Sequence, residues 1–153
     1  MANDERMLQF RRVLDATPAQ VWRAWSEPRL VERWWAPAPV LTRITNFDFR
    51  PGGAFDSAMT LADETVIHGQ GCFLEVVPET RIAFTDMMTA GWQPQAEGFF
   101  TAIFDLSPEG GGTAYHVRAL HKTAQAAREH AEMGFMEGWT NVAAQLDRLA
   151  QRL

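Results

Sequence analysis

The stretch FMEGWTNVAAQLDRLAQRL, residues 135–153, decides the fold class because it carries one continuous apolar stripe. Its large apolar side chains recur at steps of 4, 3, 4, 3 and 4 residues: Phe135, Trp139, Val142, Leu146, Leu149 and Leu153. This spacing is typical of an α-helix with one buried face, and Glu137, Asn141 and Arg148 fall on its other side. We therefore predict one long helix from about Thr123 to the end of the chain, with its stripe packed on a sheet.

The chain before this helix, residues 41–121, has the pattern of strands separated by turns. Pro, Gly and Asp clusters divide it into five or six runs in which apolar side chains alternate, as in residues 98–107. Turns are predicted at RPGG, residues 50–53, and at GGG, residues 110–112, because glycine can adopt a positive φ. Strands that follow one another without helices between them indicate an antiparallel sheet and an α+β fold.

Two short helices are predicted between a first strand at residues 6–14 and the rest of the sheet. TPAQ, residues 17–20, has the form of a capping box, with proline at the first helical position. Pro28 opens a second helix, and Pro37 prevents that helix from continuing. The order is β-α-α-β(five or six)-α with no linker or repeat, so residues 1–153 are predicted to form a single domain.

Composition and charge exclude several classes of function. The chain has 153 residues, 46% of them hydrophobic, and a formal net charge of −5, with no basic run longer than Arg11-Arg12. A nucleic-acid partner is not expected, because a phosphate backbone requires a concentrated positive face. The amino terminus is charged and no apolar run reaches about 18 residues, so neither secretion nor a membrane association is expected. Cys72 is the only cysteine, which predicts an inert buried thiol and a cytoplasmic protein.

A series of short motifs runs through nearly the whole chain. It comprises Thr17-Pro18, Val21-Trp22, Trp25, Pro28, Leu30, Trp34-Trp35, the RPGG turn with Phe55, Gly69-x-Gly71, Glu75-Val76-Val77-Pro78, Gly112-Thr113, His121, Gly138-Trp139, Leu146 and Leu149. In this order the series resembles the AHSA-type family, the proteins similar to the activator of the heat-shock chaperone ATPase, within the START-like (SRPBCC) superfamily. The resemblance implies the helix-grip, Bet v-like fold. In that fold a curved antiparallel sheet of about six or seven strands wraps around a long carboxy-terminal helix, with two short helices after strand 1 and an apolar cavity between helix and sheet.

The resemblance leaves the function open, because the superfamily includes lipid carriers, hormone receptors, aromatic cyclases and co-chaperone domains. The leading prediction is a protein that binds a small apolar, aromatic or lipid-like molecule between helix and sheet, without a cofactor. The alternatives are an enzyme of cyclase- or aldolase-like proton transfer, and an interaction module such as a homodimer or a chaperone partner. The resemblance implies a role in the stress response. Chaperone activation is discounted, because the separate amino-terminal domain of the eukaryotic co-chaperone is not part of this sequence.

The ligand-binding surface is predicted from bulky apolar side chains, since 6 Trp, 10 Phe and 7 Met exceed what a one-layer core requires. The predicted set is Trp34, Phe47, Phe55, Met59, His68, Phe84, Asp86, Met88, Phe100, Phe104, Phe135 and Trp139. The irregular segment 89–98, which contains Trp92 and Pro94, is predicted to act as a lid.

His68 and Asp86 are the candidate catalytic or orienting groups in this set. By strand parity, His68 on a strand at 65–77 and Asp86 on a strand at 81–88 are both predicted to face the cavity. The alternative for each is a position at the protein surface or at the end of a strand.

A metal site is not predicted. His116 and His121 lie five residues apart on one predicted strand and therefore point to opposite faces. His130 lies in the polar stretch AREHAEM, residues 127–133, and is predicted to be solvated.

Gly134 and Gly138 are unexpected inside a helix, where each glycine costs roughly 1 kcal/mol relative to alanine. Two interpretations remain open. One is close packing of the helix on a strand at these positions, the other is space left between the helix and a curved sheet, and both can hold together. The aromatic and methionine neighbours of both glycines are typical of the walls of an apolar pocket.

Overall fold

Strands account for most of the chain between its two pairs of helices. The computed structural model describes residues 4–153. In chain order the elements are β1 (Met7–Leu14), α1 (Pro18–Ser26), α2 (Pro28–Val31), β2 (Leu41–Phe47), β3 (Phe55–Thr60), β4 (Val66–Gly69), β5 (Cys72–Val77), β6 (Arg81–Thr85), β7 (Met88–Thr89), β8 (Gln93–Pro94), β9 (Thr101–Glu109), β10 (Gly112–Leu120), α3 (Ala124–Glu132) and α4 (Phe135–Ala150).

Two antiparallel sheets join into one curved surface. Five strands lie in the order β1-β10-β9-β6-β5, and three lie in the order β2-β3-β4. A bridge between Ala54 and Cys72 connects them, and β4 leads into β5 with only Gln70 and Gly71 between them. Counted with β4 and β5 as one interrupted strand, the surface has seven strands. The predicted α+β helix-grip architecture is confirmed.

The capping box predicted at the start of α1 is present. The backbone N–H of Gln20 donates to Thr17 Oγ1 at 3.2 Å, and the backbone N–H of Thr17 donates to Gln20 Oε1 at 2.9 Å. Pro18 occupies the first turn of α1, and Pro28 that of α2. Local chemistry therefore sets where both short helices begin.

The carboxy-terminal helix was predicted to be continuous, but a bend in the chain divides it into α3 and α4. Gly134 lies at this junction with φ +97°, a left-handed conformation that interrupts a right-handed helix. Thr123 caps α3 by accepting a hydrogen bond from the backbone N–H of Ala126. The predicted stripe is correct within α4, where Phe135, Val142, Leu146 and Leu149 are all buried.

Two polar side chains fix α4 to the amino-terminal half of the chain. The Asp147 carboxylate accepts hydrogen bonds from the backbone N–H groups of Asp15 (3.1 Å) and Ala16 (2.9 Å), in the turn after β1. The Gln145 amide donates to the carbonyls of Trp34 (3.1 Å) and Ala36 (2.8 Å), and accepts from the backbone N–H of Ala38 (3.1 Å). These contacts hold the segment 34–38 against α4.

Within residues 4–153, no helix is long and apolar enough to cross a membrane.

Candidate functional site

A cavity of about 360 Å³ lies between α4 and the sheet. Its volume falls within the range of small-molecule pockets in proteins. The α4 wall consists of Phe135, Gly138, Trp139 and Val142, and the sheet contributes Phe55, Ser57, Met59, Gly69 and Phe84. The remaining lining residues are Trp35, Ala36, Pro37, Gln70, Gly71, Asp86, Phe99, Phe100, His130, Met133 and Gly134. Most of these side chains are apolar, and none is Lys or Arg.

Gly138 keeps the space open on the helix side. A Cβ atom built on Gly138 would meet no atom within 4 Å, so the close-packing interpretation of this glycine is wrong and the interpretation as open space is correct. Gly134 is explained differently, since it supplies the positive φ of the bend before α4. The two glycines therefore have separate roles at the same wall.

Trp35 is the central aromatic residue of the cavity, although Trp34 was the one predicted. Its ring centroid lies 4.9 Å from that of Phe55, 5.5 Å from Phe84 and 5.4 Å from Trp139. Trp34 is fully buried and its indole N–H donates to the Ala24 carbonyl at 3.1 Å, so it belongs to the core. The helix α2 ends at Val31, and the helical period therefore does not set which of the two tryptophans faces the cavity.

Seven of the twelve predicted ligand-binding residues lie on the cavity wall: Phe55, Met59, Phe84, Asp86, Phe100, Phe135 and Trp139. Of the other five, Phe104 is a core side chain of the sheet and Phe47 is a half-buried side chain that packs against the core. Phe104 is fully buried, with Trp25 and Trp139 among its ring neighbours. Phe47 contacts the rings of Phe49 and Phe73.

His68 does not face the cavity, because the strand parity is the opposite of the one predicted. Ser57, a cavity residue, pairs with Gly69, whereas His68 pairs with Ala58 on the other face of the sheet. The strand predicted over 65–77 is divided into β4 and β5. His68 is exposed.

Met88 and the predicted lid also lie away from the cavity. The strand predicted at 81–88 ends at Thr85, and Met88 belongs to the short hairpin of β7 and β8. A Cβ on Gly52 would overlap the Trp92 ring, so Trp92 covers the RPGG turn instead of the cavity. Phe99 and Phe100, which directly follow the predicted lid, do line the cavity.

Asp86 lines the cavity as predicted, and its carboxylate holds the neighbouring loop. Its Oδ1 accepts hydrogen bonds from the backbone N–H groups of Phe99 (2.7 Å) and Phe100 (3.0 Å). The two phenyl rings are thereby fixed at the cavity edge. One of the two carboxylate oxygens of Asp86 is therefore occupied by hydrogen bonds to the loop backbone.

His121 and His130, which are outside the predicted ligand-binding set, form a buried pair beside the cavity. His121 and His130 are 5% and 6% exposed, and His121 Nε2 lies 2.7 Å from His130 Nδ1. His121 Nδ1 lies 2.9 Å from the Arg6 carbonyl oxygen. The prediction that His130 is solvated is wrong, because the helix face that carries Ala127 and His130 is buried.

The surroundings of His130 are aromatic. Its ring centroid lies 4.6 Å from Phe99, 5.4 Å from Phe100 and 5.1 Å from Phe135. Burial, together with the nearby His121, lowers the pKa of His130 to about 4. The imidazole is therefore neutral at pH 7.

The described residues 4–153 include no group of three or more His, Cys, Asp or Glu side chains placed to hold a metal ion. The Cys72 thiol is fully buried.

Comparison with known proteins gives a consistent assignment. Residues 15–151 match the model of the family described as Activator of Hsp90 ATPase homolog 1-like protein. A crystal structure of a protein from Nitrosomonas europaea is 34% identical, covers 98% of this chain and 97% of its own, and superposes with a TM-score of 0.93. No curated protein matches the sequence.

Two solution structures extend the likeness. A protein from Arthrobacter aurescens is 25% identical with a TM-score of 0.84, over 99% of this chain and 90% of its own. An AHSA1-like protein from Aeromonas hydrophila is 21% identical with a TM-score of 0.72, over 95% and 92%, and shows a shared fold. With a family match over residues 15–151 and a relative at 34% identity, this chain belongs to the Activator of Hsp90 ATPase homolog 1-like family.

Proposed function

We propose that this protein binds a small apolar or aromatic molecule in the cavity between α4 and the sheet. The observation that carries the proposal is the open space beside Gly138, within a wall of aromatic side chains. A helix that only needed to pack on the sheet gains nothing from a glycine at this position, since glycine weakens a helix by roughly 1 kcal/mol. A ligand that fills the space offsets that cost.

The size of the cavity limits the ligand. A volume of about 360 Å³ accommodates about twelve non-hydrogen atoms, if each takes roughly the 30 Å³ of a water molecule. This is the size of a substituted naphthalene or a short-chain lipid. Burial of apolar surface, at about 25 cal/mol per Å², is the main source of affinity.

Binding is favoured over proton-transfer catalysis by the state of the polar groups at the cavity. A general base works best when its pKa is near the working pH, and the pKa of His130 is lowered to about 4. Asp86 holds a loop with one oxygen. These groups are better suited to orient a ligand than to move its protons. The lone buried thiol supports a cytoplasmic site of action.

The test is native mass spectrometry of the protein purified from its own host, followed by denaturation and identification of any released molecule. We expect a stoichiometric apolar ligand in the natural chain and none in Gly138→Leu, whose added side chain occupies the cavity. Glu137→Leu adds the same side chain at the exposed neighbouring position and is the matched control. If the protein stays free of ligand in its host and against a library of apolar compounds, the proposal is wrong.

A further inference from the structure

The hydrogen bonds of the histidine pair fix which nitrogen carries each proton. The Arg6 carbonyl oxygen can only accept, so His121 Nδ1 is the protonated nitrogen of its ring. In the neutral form of the ring the other nitrogen is an acceptor, so in that form His121 Nε2 accepts a hydrogen bond. The atom at 2.7 Å is His130 Nδ1, which therefore donates.

The last nitrogen of this chain of hydrogen bonds is an acceptor without a partner. With His130 Nδ1 protonated and the ring neutral, His130 Nε2 bears a lone pair. Within residues 4–153, no hydrogen bond is made to Nε2 of His130. This nitrogen is also not one of the fully inaccessible polar atoms without a partner, so it keeps some solvent access. His130 is one of the residues that line the cavity, and the cavity is therefore the place from which a bound molecule can reach this nitrogen.

We propose that His130 Nε2 accepts a hydrogen bond from a hydroxyl group of the bound molecule, so that the ligand class is a neutral aromatic or alicyclic alcohol, such as a phenol. The inference rests on the proposed function, because it concerns the same cavity. His121 acts as a positioning residue that holds His130 in the tautomer with an accepting Nε2.

The charges around the cavity agree with a neutral ligand. No Lys or Arg side chain lines the cavity, so a carboxylate or phosphate would enter without a counter-ion. The Asp86 carboxylate repels such an anion further. An uncharged hydroxyl satisfies the lone pair without the cost of burying a charge.

The test compares two probes of equal size, 2-naphthol and 2-methylnaphthalene, by chemical-shift titration of the Phe99, Phe100 and Gly134 amides. Two variants separate the nitrogens of His130. His130→Asn keeps a donor at the position of Nδ1 and removes Nε2, whereas His130→Gln keeps an acceptor near the position of Nε2. The quantity of interest is the ratio of the two dissociation constants, because changes in cavity volume affect both probes alike.

We expect His130→Asn to weaken the binding of 2-naphthol about fivefold relative to that of 2-methylnaphthalene, which corresponds to one hydrogen bond of about 1 kcal/mol. His130→Gln should retain at least part of the natural ratio of the two dissociation constants. The ¹⁵N shift of His130 Nε2 moves on adding 2-naphthol and stays in place with 2-methylnaphthalene. If the ratio is the same in the natural chain and in His130→Asn, the inference is overturned while the cavity remains a binding site. If neither probe binds the natural chain, the proposed function fails as well.

Two charged probes complete the test. We expect 2-naphthoate and 2-naphthylmethylammonium to bind more weakly than 2-naphthol. Tighter binding of the ammonium probe, lost in Asp86→Asn, would overturn the hydroxyl assignment in favour of recognition by the carboxylate. Tighter binding of 2-naphthoate would overturn it by showing that the cavity accepts anions.

Discussion

Gly134 and Gly138 show how two residues of one type, four positions apart, can have opposite energetic roles. A Cβ atom at either position would meet no atom within 4 Å. Gly134 has φ +97°, whereas Gly138 lies inside α4 with ordinary helical geometry. Any difference between their alanine variants therefore reports backbone conformation alone.

We expect Gly138→Ala to raise the free energy of unfolding by about 0.5–1 kcal/mol, because alanine favours the helix and meets open space. Gly134→Ala should lower it by about 1–2 kcal/mol, because an L-residue is strained at this φ. Urea denaturation of both variants measures the difference. A destabilised Gly138→Ala would contradict the open space beside α4.

The buried neutral state of His130 predicts a pH dependence of stability. The pKa of His130 is about 4 in the fold, against 6.5 for an ordinary histidine, so between these values the unfolded chain binds the additional proton. Stability contributed by the neutral ring is thus complete above pH 6.5 and is lost as the pH falls towards 4. The other titratable group in contact with His130 is His121, and Asp86 lines the same cavity.

We expect the free energy of unfolding to fall by about 1–2 kcal/mol more between pH 7 and pH 5 in the natural chain than in His130→Asn. Urea denaturation at the two pH values provides the measurement. His68→Asn, which removes an exposed histidine from β4, is the control and should keep the natural slope. Equal slopes for the natural chain and His130→Asn would mean that His130 is not buried as a neutral ring.

At the scale of elements, long periodic patterns could be read from the sequence, whereas local side-chain directions could not. The apolar stripe of α4 repeats over many residues. The capping box of α1 depends on a fixed hydrogen-bonding motif of four residues. The cavity-facing side of β4 depends on one unit of register. Val66 and Ile67 are adjacent apolar residues without alternation, so the sequence pattern does not show on which side His68 lies. His130 was misjudged because polar neighbours hid the buried position three residues after Ala127.

The contact between α4 and the segment 34–38 gives the element-scale prediction. Gln145 donates to the Trp34 and Ala36 carbonyls, so Gln145→Glu replaces a donor with a carboxylate oxygen that faces two acceptors. We expect a loss of about 2 kcal/mol in the free energy of unfolding, together with weaker ligand binding as Trp35 is released. Asn141→Asp on the exposed face of α4 is the control, and should change the stability by no more than about 0.5 kcal/mol. An equal effect of both variants would show that Gln145 does not anchor the segment.

At the scale of the whole molecule, the cavity lies between α4 and both parts of the curved sheet, so a bound molecule connects elements far apart in the sequence. β3 and β6, which belong to different hydrogen-bonded sheets, each contribute a phenylalanine to its wall. A ligand in contact with all of these elements can bind only when they are folded together. Binding must therefore raise the stability of the entire chain.

We expect 2-naphthol at about 100 times its Kd to raise the free energy of unfolding by about 2.7 kcal/mol, and hence the Tm by roughly 5–10 °C. Differential scanning calorimetry measures this shift in the natural chain, in Gly138→Leu and in Glu137→Leu. The shift should vanish in Gly138→Leu, because leucine fills the space beside α4, and persist in Glu137→Leu, because that side chain lies outside the cavity. A shift that persists in a folded Gly138→Leu would place the ligand elsewhere on the molecule, because the only change is the volume of this cavity.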